Sequence, residues 1–130
     1  MYNLETDYGT IKLTRIAFGS IIASALTDAD LEERVILCTK QGIYIPYVNN
    51  KASQFFELTE NDSKRILTVH IMTRFGSSKK YCIDTFREAL REKLSNITDD
   101  EIVTEVVVDH KGVFKKNGTK IETFRQKKEQ

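Results

Sequence analysis

A chain of 130 residues suits one domain of ordinary size, with a core that needs no metal or disulfide staple. Its 20 basic and 19 acidic side chains leave a formal charge of +1, so total charge forces no attraction to nucleic acid or anionic lipid. Two cysteines, Cys38 and Cys82, are too few and too widely spaced for a secreted disulfide framework, and each falls in an apolar stretch, as suits a reducing cytoplasm.

The acidic opening, residues 1–7, lacks the basic and then apolar pattern of a signal peptide. Residues 9–14 alternate apolar Ile11 and Leu13 with polar neighbours, the period of a short strand, and Thr14 stands where a helix N-cap belongs. A helix is expected from Arg15, fading near 27–30. Its segment 16–26 carries no charge and falls well short of the roughly 20 residues a membrane-spanning helix needs. On a helical projection Phe18, Ile21, Ile22, Ala25 and Leu26 form an apolar stripe, while the other side holds only Gly19, Ser20, Ala23 and Ser24. A surface helix normally shows charge to water, and one without charge is usually covered twice. Phe18, Ile22 and Leu26 are therefore expected in the domain's own core. Gly19, Ser20, Ala23 and Ser24 are expected at a protein–protein contact, with cover by the 49–63 segment or the C-terminal hairpin as the alternative.

Residues 35–39 are apolar and β-branched, and Lys40-Gln41-Gly42 supplies a three-residue loop before the strand pattern resumes at 43–48. Pro46 places that second arm at an edge, because proline cannot donate to a ladder. Residues 49–62 read as a long loop pinned by Phe55 and Phe56. The clearest strand is 64–75, with Leu67, Val69, Ile71 and Phe75 on one side and Thr68, His70 and Arg74 on the other. Gly76-Ser77-Ser78 ends it and caps a helix whose Ile83, Phe86, Leu90, Leu94 and Ile97 recur at helical spacing. Residues 102–109 alternate again, with Ile102, Val106 and Val108 inward and Glu105 and Asp109 outward. Residues 113–124 form a hairpin pattern around Asn117-Gly118, both expected as turn positions, and 125–130 is a fraying basic tail. The order β-α-β-β-β-α-β plus a hairpin argues for one α+β domain over 1–124, a mostly antiparallel sheet with two helices packed on it.

This arrangement resembles a known group. Residues 9–13 leading into an alanine-rich helix resemble the opening of the alkaline shock protein and Gls family of envelope stress response proteins. The second half follows the same pattern. A strand closes in Arg74-Phe75-Gly76, a helix carries Phe86, Leu90 and Leu94, Asn96-Ile97-Thr98 follows, and 102–108 runs on to Lys111-Gly112-Val113. The matching pieces cover roughly 9–26 and 64–113; the turn at 28–33 and the long 49–63 segment depart from the family. The resemblance implies a non-enzymatic bacterial protein of the cytoplasm that self-associates, or is held near the membrane by a protein partner. It brings no catalytic residues.

Candidate chemistry is sparse. His70, His110, Cys38 and Cys82 lack the close paired spacing of a zinc site, so neither metal nor cofactor is expected. Ser77, Ser78, Lys79 and Lys80 place two hydroxyls and two ammonium groups at a helix start, where the dipole favours anions, which makes them a candidate site for a phosphate or carboxylate. The spacing is not that of a Walker loop. Residues 111–130 hold seven basic and two acidic side chains, a local charge of +5 that leaves −4 elsewhere. The alternative function is thus a small nucleic-acid-binding domain that uses the sheet's polar face and the basic C-terminal segment. The scarcity of aromatic side chains for base stacking on the central strands weighs against it.

Overall fold

The computed structural model describes residues 2–6, 9–13, 15–44, 54–61, 64–96 and 105–125. In chain order its elements are β1 (Tyr2–Thr6), β2 (Gly9–Leu13), α1 (Arg15–Asp28), β3 (Val35–Leu37), β4 (Phe56–Asn61), β5 (Lys64–Arg74), α2 (Lys79–Ser95), β6 (Glu105–Asn117) and β7 (Lys120–Arg125). The α+β class is as expected. β1 and β2 form a separate antiparallel pair, from Tyr2↔Leu13 to Thr6↔Gly9. The acidic opening carries no alternation long enough to mark a strand by itself, and pairing with β2 makes β1 of it.

β5 is the centre of a five-stranded sheet. One of its edges pairs in parallel with β6, a connection that needs the α2 crossover. Its other edge is shared end to end by two short antiparallel strands, β3 opposite residues 71–73 and β4 opposite 64–69. β7 closes the far side, antiparallel to β6. Residues 56–61 are therefore a strand and not the expected loop. Phe56 and Leu58 alternate with Glu57 and Thr59, a period-two signal too short to stand out, and pairing with β5 completes it. Phe55 and Phe56 are both buried, and the Phe56 ring lies 5.8 Å from that of Phe18.

Both helices pack on one face of the sheet. Phe18, Ile22, Ala25 and Leu26 from α1 meet Cys82, Phe86, Leu90 and Leu94 from α2 over Leu67, Val69, Ile71, Val106 and Val108. The opposite face carries a smaller apolar cluster of Cys38, Met72 and Phe114, flanked by Ile36 and Ile121. That second cluster exists because of a register shift. β6 runs unbroken where two separate segments were expected, and Lys111 is skipped between Ile71↔His110 and Met72↔Gly112. One extra residue reverses the alternation, so Val106 and Val108 face the helices while Phe114 faces away.

Three turns position the rest. α1 ends in a Schellman motif, with Leu31 N donating to Leu26 O, Asp30 N donating to Thr27 O, and Asp30 left-handed at φ 57°. Gly42, at φ 83°, closes the loop after β3, and Arg125 donates to Gln41 O while its stem lies against Gly42. At the β6–β7 hairpin Asn117 pairs with Lys120, so Gly118 and Thr119 are the turn residues, one step later than expected. Only Gly118 has positive φ there, the pattern of a type II′ turn. The expected cap Thr14, the arm beyond Tyr44 with Pro46, Ile97, Ile102 and the tail from 126 lie outside the described residues. Among the described residues no helix is long and apolar enough to cross a membrane.

Candidate functional site

Three places gather the candidate functional side chains among the described residues. The first is the outer side of α1. Phe18, Ile22 and Leu26 are in the core. Gly19 is buried as well, Ser20 is exposed, and Ala23 and Ser24 are half-buried. Ala23 opens onto a cleft of about 290 Å³ between α1 and β3, whose walls include Thr27, Ile36 and Tyr44. No charged side chain lies on α1 between Phe18 and Thr27.

The second is the start of α2. Ser78 is the N-cap, and its Oγ accepts from Tyr81 N at 3.2 Å. Lys80 Nζ donates to Asp84 Oδ2 at 2.7 Å, which holds the Asp84 carboxyl below its ordinary value. Ser77 is half-buried, with its backbone N–H donating to Arg74 O, and Lys79 is exposed. Of the four residues considered as an anion site, Ser78 and Lys80 are thus engaged by the helix itself.

The third place had no sequence signal beyond two polar residues on neighbouring strands. His70 was expected on a polar face, yet it is only 1% exposed. Its backbone ties the shared edge of β5 together, donating to Phe55 O beside β4 and accepting from Cys38 N beyond β3. The ring Nδ1 lies 2.8 Å from Asp109 Oδ2, which also takes Lys111 Nζ at 2.9 Å. Nε2 is buried without a hydrogen bond, 3.6 Å from Glu57 Oε2. Burial alone would raise the Asp109 carboxyl, but the hydrogen bonds from Lys111 and His70 outweigh it and hold the group below its ordinary value. The parallel register His70↔Asp109 brings this pair together, and no local pattern encodes that register.

Among the described residues no nucleophilic side chain hydrogen-bonds His70 Nε2. Nε2 is enclosed, so a substrate has no path to it. Burial pushes the neighbouring Cys38 thiol up to about 12, with Asp109 adding to the effect, so it stays protonated and is a poor nucleophile. Burial raises the Cys82 thiol as well. Among the described residues no group of three or more His, Cys, Asp or Glu side chains is arranged to hold a metal ion.

Phe75, expected inward at the end of its strand, is 64% exposed. β5 stops at Arg74, and Phe75 N donates to Phe114 O past the cover of the helices. Comparison with protein-family models, with curated proteins and with solved structures finds no match to this chain.

Proposed function

We propose that this chain is a non-enzymatic interaction module of the cytoplasm that associates with a second copy of itself through the outer side of α1. The observation that carries the reading is the chemistry of that side. From Phe18 to Thr27 every exposed or half-buried residue, namely Ser20, Ile21, Ala23, Ser24 and Thr27, is small or uncharged. Small side chains let a second helix approach closely, and a two-fold axis would set each patch against its own copy. The protonated thiols and the enclosed His70 support the absence of catalysis. The resemblance to the alkaline shock and Gls pattern supports self-association, and the same resemblance implies membrane proximity through a partner.

Size-exclusion chromatography with light scattering tests the proposal on wild type and on Ser20→Glu. Ser20 is exposed, so the variant should keep its fold by circular dichroism. Wild type should run as an oligomer and the variant as a monomer. A wild type that remains monomeric at high micromolar concentration overturns self-association, as does a variant that assembles like wild type.

A further inference from the structure

The sheet ends, where β5 stops, in a row of exposed rings and cations. Arg34, beside β3, accepts a bond at its carbonyl from Arg74 N, and its guanidinium lies 5.9 Å from the centre of the Tyr81 ring. On the neighbouring strands, Lys115 Nζ lies 4.8 Å from the Phe75 ring centre and 5.7 Å from that of Phe124. Tyr81 is 51% exposed and Phe124 46% exposed, each a large apolar surface left in water. Arg34, Phe75, Lys115 and Phe124 follow one another at the ends of four adjacent strands, a strip about 14 Å across at ordinary strand spacing.

Charge on the strip is unbalanced. Glu33 is occupied by Arg74 and Lys116, and Asp84 by Lys80 and Arg87. Arg34, Lys115 and Lys120 have no ion pair with a carboxylate among the described residues; Glu122, the one carboxylate among the described residues of β7, stands opposite Lys115 in the β6–β7 register, so three cations face one carboxylate. Exposed rings interleaved with an excess of cations match the two needs of a single-stranded nucleic acid, a flat surface for each base and positive charge for each phosphate. We infer that this strip, centred on Phe75, Lys115 and Phe124, binds single-stranded nucleic acid without sequence preference. The site is separate from the α1 contact and does not depend on it. It also differs from the face of the sheet away from the helices, where Phe114 is buried and offers no surface to a base.

Fluorescence anisotropy of a labelled oligothymidine at low salt, with the full chain, tests this. Wild type should bind, and affinity should fall as salt rises, because each phosphate contacted by a cation releases counterions, with a shallow slope since only a few phosphates are contacted. Replacing both rings, Phe75→Ala with Phe124→Ala, should weaken binding about tenfold or more. Phe124→Tyr, which keeps a ring, should bind like wild type and so separates stacking from any loss of fold. No binding at low salt overturns the inference. So does a double-alanine variant that binds unchanged, or competition by polyglutamate as strong as by unlabelled oligothymidine, since the strip would then be reading an acidic protein or bare negative charge.

Discussion

α1 and α2 lie side by side on the same face of the sheet, joined by the Lys93–Asp28 ion pair, and they present opposite surfaces to water. α2 buries Cys82, Phe86, Leu90 and Leu94 and turns Lys80, Asp84, Glu88, Arg91 and Glu92 outward. Between Phe18 and Thr27, α1 buries Phe18, Ile22, Ala25 and Leu26 and turns out the uncharged Ser20, Ile21, Ala23, Ser24 and Thr27. Inner residues fix where a helix docks, while outer residues decide what else can approach it. The comparison separates stability, shared by both helices, from the proposed association, which is assigned to one.

The largest expected effect tests the shared half. Phe86→Ala in α2 and Ile22→Ala in α1 should each lower stability by about 2–5 kcal/mol, read by urea denaturation. An Ile22→Ala change that leaves stability intact would mean α1 is not docked as α2 is. Acid should then divide the helices. The Lys80 partner lowers the Asp84 carboxyl, so the stabilisation is present above the ordinary carboxylate range and is lost as pH falls through the folded value. Hydrogen-exchange protection at the start of α2, taken relative to the intrinsic exchange rate at each pH, should fall across that acid window, and Asp84→Asn should remove the dependence. The outer side of α1 from Phe18 to Thr27 has no titrating group, so its exchange should lack this step.

Smaller effects sit at the helix ends. Ser78→Ala removes the acceptor for Tyr81 N and should cost about 1 kcal/mol in thermal or urea unfolding. Asp30→Gly should act in the other direction at the end of α1, stabilising by up to about 1 kcal/mol, because glycine adopts the left-handed conformation without strain. A destabilised Asp30→Gly protein would show that the Asp30 side chain contributes more than its backbone conformation costs.

Elements whose signal is local were legible in the sequence. α2 announced itself through apolar residues at helical spacing and a serine cap, β5 through alternation, and the hairpin through its glycine. The uncharged side of α1 was legible for the same reason, since charge on a helix face is read directly from spacing. Features that depend on pairing were not. β4 has only Phe56 and Leu58 to mark it, and its partner strand supplies the rest. The skipped Lys111 reverses the faces of β6, so Phe114 could not be assigned to the second cluster from alternation alone. His70 and Asp109 are 39 residues apart and meet only through parallel register. The ring-and-cation strip is drawn from four strand ends, and no single segment contains it.

Crosslinking at matched positions on the two helices tests the central claim most directly. Cys38 and Cys82 are buried, so an added surface thiol would be the reactive one. Ser20→Cys on α1 and Glu88→Cys on α2 would each be treated with a short bismaleimide at the same protein concentration. The α1 contact predicts a covalent dimer from Ser20→Cys and essentially none from Glu88→Cys. Equal yields from the two positions, or no dimer from Ser20→Cys, would contradict it.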